Sequence, residues 1–526
     1  MSTLNGMLDR AAQEGGEKAF LVCNGRSLSF SAAHAEVLSV AEGLRRFGVA
    51  KGDRVAIVHR NAPEFVISYF AINRLGAIAV PINFMVQKAD ELAHMLNDCG
   101  AAGAVTQAEF LTGLTGAASQ CPALKALWVT DGASAPDRAS VVRAFSQLRV
   151  PAPSGPAPDP ISEDDVAAIL YTSGTTGFPK GVMLTHRNLV TNCESSLKRI
   201  ALTRRDVTLC ILPMFHSFSW TAIVLTSTRL TLKCVIFPAI APPRPWLKAM
   251  GAHGVTLFAA VPQIYAALAR EARDWKTRLY LRLWAFRKVR LAVSGAAPLP
   301  SSVAAAFAAA VGADIIEGWG LTETSPVATV VPPRALKVGF VGPPLDGVSL
   351  KIVDDAEQEL PPGAEGEVCV RGDNVMKGYW NLPDATKAAF TADGWLKTGD
   401  VGFIDPDGYL AIRDRKKDMI IVKGLKVFSA QVEAILAENP AIEESAIVGV
   451  PDEEGDETIK AFVVLKKGCR LEKAALLQYF REKLDAYKRP RDVEIVESLP
   501  KNALQKVLKR ELREREMAKR TGAAKA

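Results

Sequence analysis

A chain of 526 residues exceeds what one hydrophobic core usually supports, so two or more domains are expected. With 48% hydrophobic and 23% charged residues it has the composition of an ordinary soluble globular protein. The formal charge of +7 is modest and its lysines and arginines are scattered. That sets nucleic acid aside as a partner and leaves the charge to a polyanionic small ligand or an anionic membrane surface.

The first third alternates helix and strand patterns. Ser31–Phe47 has helical periodicity, Arg54–His59 is a short β-branched run, Ala62–Arg74 is helical and Ala77–Pro81 reads as a buried strand. Short apolar strands between amphipathic helices predict parallel α/β layers. Pro151–Pro160 is a proline-rich joint that feeds a strand at Val166–Tyr171. Further strands are predicted at Thr256–Ala260 and Val289–Ser294. Between them, Trp275–Arg290 (WKTRLYLRLWAFRKVR) interleaves aromatic and aliphatic residues with lysines and arginines. At helical spacing the two sets do not separate, which favours a core-packed helix with snorkelling arginines over one lying at a membrane surface.

After about residue 335 the texture turns to β: Val348–Val353, Gly366–Val370, and a hairpin Gly402–Ile412 turning at Asp405–Gly408. Strands Ala446–Val450 and Ala461–Lys466 then alternate with helices Ser429–Glu438, Leu471–Leu484 and Val507–Met517. The predicted architecture is α/β: a large N-terminal domain of several subdomains over residues 1–414, with mixed sheets and a small β-barrel-like part. A charged hinge near Asp414–Asp418 leads to a small C-terminal α+β domain over residues 415–526.

The eight cysteines, Cys23, Cys99, Cys121, Cys193, Cys210, Cys234, Cys369 and Cys469, never approach CxxC spacing and read as buried thiols of a reducing compartment. The histidines are dispersed, with no HExxH. Met1–Arg10 lacks the pattern of a signal peptide, and no apolar run reaches the roughly 18 residues that span a bilayer. A cytoplasmic protein is expected, with peripheral contact at the inner face of the membrane and a homodimer left open.

Tyr171–Gly181 reads YTSGTTGFPKG. Small residues let backbone N–H groups converge on phosphate oxygens, the hydroxyls of Thr172, Ser173, Thr175 and Thr176 add donors, and Lys180 adds charge. It is not a Walker A loop, because no GK[ST] follows at the required spacing. Continued to His186, the segment closely resembles the signature of the adenylate-forming superfamily: acyl-CoA synthetases, peptide-synthetase adenylation domains and luciferases. The resemblance recurs in order at Gly318–Thr324 (GWGLTET), at Gly399–Asp400, at Asp414–Val427 (DRKKDMIIVKGLKV) and at Pro500–Leu512 (PKNALQKVLKREL).

The resemblance implies a use of ATP, Mg²⁺ and coenzyme A, and a mobile C-terminal domain. It assigns the nucleotide to Thr172, Ser173, Gly174, Thr175, Thr176, Gly177 and Lys180, and to Gly295, Ala296, Glu317, Gly318, Trp319 and Gly320. Trp319, where the family usually has Tyr, can stack on adenine. Thr322 can donate to an α-phosphate, and Glu323, with Thr175, offers hard oxygens to Mg²⁺. Asp400 and Arg415 would meet the ribose, Lys417 would be the hinge residue, and Lys423–Gly424 would face the site during thioester formation. Lys506 would stabilise charge on the phosphoryl oxygens; the residue before it, usually Gly in the family, is Gln505.

Pro213–Trp220 (PMFHSFSW) resembles the family's acyl-pocket segment. His216, neutral or partly charged near pH 7, would meet the carboxylate or wall the pocket. Phe215, Phe218 and Trp220, with Val261–Pro262, would supply apolar surface. A medium- or long-chain fatty acid is preferred as the small-molecule substrate over an aryl or cinnamate-type acid. A homologue that binds nucleotide without turnover is the alternative of a different class.

Overall fold

The computed structural model describes residues 2–132, 141–151, 160–172, 179–422, 425–451, 457–502 and 505–523. Its strands form two eight-stranded sheets and a four-stranded sheet, followed near the C-terminus by a two-stranded and a three-stranded sheet. A large N-terminal domain of several mixed sheets is thus followed by a small C-terminal domain.

In the first large sheet the strands Val207–Cys210, Leu257–Ala260, Leu291–Ser294 and Ile315–Gly320 lie side by side and parallel. Helical crossovers return each strand in the same direction, so their carboxyl ends share one edge. That edge gathers Ile211–His216, Val261, Gly295–Ala296 and Trp319–Gly320, as open α/β sheets gather their ligand sites.

The second large sheet is parallel through Arg54–Val58, Ile78–Pro81, Ala101–Thr106, Ala126–Val129 and Val166–Thr172, and becomes antiparallel beyond the last of these. The run Lys180–Thr185, which carried no strand expectation, returns as a second arm and pairs Thr172 with Lys180. The glycine-rich segment therefore joins two paired strands. Gly378–Tyr379 adds to the second arm as an edge strand.

One continuous core takes residues from both large sheets. Helix Pro63–Arg74 is sealed within it, with Phe65, Ile67, Phe70 and Ile72 fully buried. A helix apolar on all sides has to be interior, and each phenylalanine there contributes roughly 3 kcal/mol by burial. Seven of the cysteines are buried and Cys469 is exposed.

The part expected to be barrel-like is a four-stranded antiparallel sheet, Val348–Val353, Gly366–Gly372, Leu396–Ile404 and Leu410–Arg415, tied to the first large sheet by bridges at Thr329–Pro344 and Gly342–Leu410. Its hairpin turns where expected, with Gly408 at φ +82° donating its N–H to the Asp405 carbonyl at 3.0 Å. Past the turn at 416–418, helices Ser429–Ala437 and Lys473–Lys483 cover strands Ile442–Pro451 and Glu457–Leu465 around a separate core of Val432, Leu436, Ile447, Ala461 and Phe480. Asp414 caps the first of these helices, accepting from the Ser429 hydroxyl at 2.8 Å and the Ala430 N–H at 3.2 Å.

The segment Trp275–Ala285 is helical, but only Leu281, Ala285 and Phe286 enter the core. Trp275, Leu279, Tyr280, Leu283 and Trp284 are exposed, which corrects the expectation of a core-packed helix. The space beneath is already closed by the edge-to-face rings of Phe258, Phe286 and Phe307. Among the described residues no helix is long and apolar enough to cross a membrane.

Candidate active site

Strand Leu396–Ile404 pairs with Leu410–Arg415 in a register that sets Asp400 opposite Arg415. Their charged groups are 3.3 Å apart. Trp319, near the end of its own strand, donates its indole N–H to Asp400 at 2.8 Å. Lys506 joins the group from the small domain: burial and the Arg415 charge hold its ammonium down to about 8, against the opposing pull of Asp400 and Asp418. Four residues expected at the nucleotide thus come together from three separate stretches of chain. Trp319→Phe keeps a ring but removes the bond to a charged acceptor. KM for ATP is expected to rise roughly tenfold with kcat little changed, as steady-state kinetics in ATP will read.

The turn Thr322–Thr324 follows directly. Glu323 Oε1 accepts the Tyr379 hydroxyl at 3.0 Å, and the Glu323 carbonyl accepts the Met376 N–H at 2.8 Å. Burial and the Glu323 charge push the Tyr379 phenol up, so it donates and does not ionise. Lys180 Nζ lies 5.1 Å from the centre of the same ring. Tyr379 belongs to no motif; the edge strand alone brings it in. One carboxylate, oriented by the Tyr379 hydroxyl, fits a magnesium ion that arrives with its phosphates and keeps ligands of its own. Among the described residues no group of three or more His, Cys, Asp and Glu could hold a metal by itself.

Gly320 sits in a crowded crossing, where a Cβ would lie 1.8 Å from the Pro326 carbonyl oxygen. Glu317, three residues earlier, is half-buried, and desolvation pushes its carboxyl up to about 7. The expectations for Ser173, Gly174, Thr175, Thr176 and Gly177, and for Lys423 and Gly424, lie outside the described residues.

His216 caps the short helix that begins at Ser217, its Nδ1 accepting the Phe218 N–H at 3.2 Å. That leaves the ring proton on Nε2. Burial, with the Lys506 charge nearby, pushes the imidazole down to about 4, so of the two states the sequence allowed, the neutral one holds at pH 7. Phe218 lies against Gly295: a Cβ there would sit 3.4 Å from its ring and 3.5 Å from the Gly318 carbonyl oxygen. Ala296 takes φ +68°, a left-handed conformation that non-glycine residues adopt mainly where function or strain demands it. Phe215 meets Phe84 edge-on. Trp220 does not supply acyl-facing surface: it is buried and stacked on Tyr69 at 3.8 Å, between Phe65 and Phe70 of the interior helix.

A tight turn presents Lys506. Asn502 accepts the Lys506 N–H through Oδ1 at 2.9 Å and donates its own N–H to the Lys506 carbonyl at 2.9 Å. Gln505 takes φ +61°, the conformation a glycine would adopt there. The departure from the family pattern therefore costs strain and not geometry. Gln505→Gly is expected to stabilise the chain by roughly 0.5 kcal/mol, the left-handed penalty less the added chain entropy of glycine. A raised Tm with an unchanged adenylation rate is the check.

Residues 8–380 match the AMP-binding enzyme family, and residues 431–506 match the AMP-binding enzyme C-terminal domain. The chain belongs to the AMP-binding enzyme family. Feruloyl-CoA synthase of Amycolatopsis sp is 35% identical over 502 residues, 93% of this chain and 94% of that one. Long-chain-fatty-acid–CoA ligase of Bacillus subtilis (strain 168) is 34% identical over 546 residues, 98% of this chain and 94% of that one. ATP-bound MatB from Rhodopseudomonas palustris has a TM-score of 0.87 to this structure at 30% identity, covering 97% of this chain and 98% of that one. Apo MatB gives 0.76 over the same shares. This AMP-binding enzyme is an adenylate-forming acyl-CoA ligase, an acid–thiol ligase that uses ATP and CoA.

Proposed function

We propose that this acyl-CoA ligase activates a medium- or long-chain fatty acid as its adenylate and passes the acyl group to CoA. The observation that carries the reading is the wall at the strand ends. Phe215, Phe218 and the neutral His216 offer apolar surface there, and none of them is a carboxylate to meet a substrate ammonium.

In the first half-reaction the substrate carboxylate attacks the α-phosphorus of ATP and pyrophosphate leaves. Thr322 donates to the α-phosphate, and Lys506 opposes the charge that builds on its oxygens. Trp319 stacks on adenine; Asp400 and Arg415 hold the ribose; Gly295, Ala296, Glu317, Gly318 and Gly320 shape the adenine and acyl edges. Thr172, residues 173–177 and Lys180 hold the β- and γ-phosphates. Magnesium, held by Glu323 and Thr175, would neutralise phosphate charge when bound.

In the second half-reaction residues 415–526 turn on residues 1–414 about Lys417. Lys506 leaves, Lys423 and Gly424 come in, and the CoA sulfur attacks the acyl carbonyl as AMP departs. A cavity of about 240 Å³ lined by Val422, Leu425, Tyr487, Arg489 and Arg491 borders that position and suits an anionic nucleotide tail. A cytoplasmic setting belongs to the proposal, supported by the buried thiols.

An aryl or cinnamate-type acid is the second reading, favoured by the 35% identity to feruloyl-CoA synthase and by the Phe218 ring against Gly295. Pyrophosphate release across a panel of fatty and hydroxycinnamic acids, with and without CoA, separates the two. Turnover from octanoate to palmitate is expected. Turnover confined to ferulate and coumarate would overturn the fatty-acid reading.

A further inference from the structure

The exposed face of the helix at Trp275–Ala285 takes no part in the site above, and the geometry points to it as a docking surface for an anionic lipid bilayer. Trp275, Leu279 and Leu283, spaced i, i+4 and i+8, form one stripe and are 62%, 50% and 58% exposed. Tyr280 and Trp284 border it. Of the fifteen large hydrophobic side chains exposed among the described residues, five lie in this one stretch. Scattered singly they would be ordinary surface; concentrated they mark a contact.

The fold holds the stripe outward. Leu281, Ala285 and Phe286 anchor the underside in the core. Trp284 lies on Gly251, where a Cβ would collide with its ring at 2.3 Å, and its indole N–H donates to the Lys248 carbonyl at 3.3 Å.

Charge selects the occupant. Lys276, Arg278, Arg282, Arg287 and Lys288 are exposed, and no Asp or Glu falls between Asp274 and Arg290. Asp274 is itself engaged, accepting the Thr277 N–H at 2.8 Å and its hydroxyl at 2.9 Å. Of the arginines further out, Arg270 pairs with Glu443 and Arg290 with Asp206. The five cations between Asp274 and Arg290 are in no ion pair among the described residues. Leucines at the centre, Trp and Tyr at the border and cations around them form the pattern of a helix lying in a bilayer interface. A nucleic acid or an acidic protein would use the cations and leave Leu279 and Leu283 in water.

The patch also lies away from the chemistry. Trp284 rests near the carboxyl end of helix Arg244–His253, and Arg282 sits beside Gly312, just ahead of strand Ile315–Gly320. The candidate site occupies the other ends of these strands, so docking leaves it uncovered.

Flotation of the full chain with vesicles tests the assignment. Partition onto an equimolar mixture of phosphatidylcholine and phosphatidylglycerol is expected to exceed that onto phosphatidylcholine alone at least tenfold. Leu279→Ser with Leu283→Ser, and separately Arg278→Gln with Arg282→Gln, are each expected to weaken it about tenfold or more, with ligase activity in vesicle-free buffer unchanged. A chain that stays in solution with the anionic vesicles overturns the proposal. So does loss of binding in the arginine pair alongside full binding in the leucine pair, which would assign the face to a polyanion without an apolar interior.

Discussion

Lys506→Ala is expected to lower acyl-adenylate formation about a thousandfold while leaving conversion of supplied acyl-AMP to acyl-CoA within about twofold of the parent chain. The asymmetry follows from position. Lys506 stands with Arg415, Asp400 and Asp418, the first two of which are proposed to hold the ribose, so its charge is expected to act on the nucleotide and not on the thiol. Burial also gives it a pH signature. An ammonium held down to about 8 is charged below that pH and loses its proton as pH rises through it. The value of kcat/KM for ATP, which reports the free enzyme, is therefore expected to fall above about pH 8. Lys506→Arg, whose guanidinium does not titrate in this range, should remove that limb even where it slows the reaction. Stopped-flow measurement of pyrophosphate and acyl-CoA separates the half-reactions, and equal loss of both would sink the assignment.

Gly320→Ala is expected to be the most damaging single methyl addition in the site. The new Cβ would lie 1.8 Å from the Pro326 carbonyl oxygen and 2.9 Å from the Ala328 backbone nitrogen, and both neighbours are backbone that cannot swing away. Strand Val327–Val330, paired there with Ile315–Gly320, would have to open. Overpacking of this kind costs about 3 kcal/mol or more. It also displaces Trp319 from Asp400, so ATP affinity should fall together with Tm. Gly295→Ala is the control, because its Cβ meets Phe218 at an ordinary 3.4 Å and a ring can yield. Thermal unfolding with and without ATP distinguishes the two, and an unchanged Tm in Gly320→Ala would contradict the crowding.

The candidate nucleotide residues were legible in the sequence because they fall in short contiguous motifs. Trp319, Asp400, Arg415 and Lys506 each announce themselves by their neighbours. Their convergence did not, since it depends on the strand register that sets Asp400 opposite Arg415 and on the placement of a second domain. Tyr379 was invisible because a lone aromatic has no pattern, and its role comes from a two-residue edge strand. Trp220 misled for the opposite reason: within PMFHSFSW an aromatic reads alike whether it faces a ligand or the Phe65–Tyr69–Phe70 cluster. The helix at Trp275 reads as core because its apolar and basic residues do not separate at helical spacing, while its burial depends on Phe258 and Phe307 having already filled the space. Gln505 shows a residue type departing from a pattern while the backbone keeps it, at φ +61°.

Gly378–Tyr379 is short, yet both of its sides are hydrogen-bonded. Lys377 donates to the Met183 carbonyl at 3.0 Å and Trp380 to the Gly181 carbonyl at 2.7 Å, while the Met376 N–H and the Tyr379 hydroxyl hold Glu323. The arm that begins at Lys180 and the carboxylate at Glu323 are therefore parts of a single jaw. A shift of the Lys180 arm would therefore be carried to the Glu323 carboxylate through hydrogen-bonded backbone.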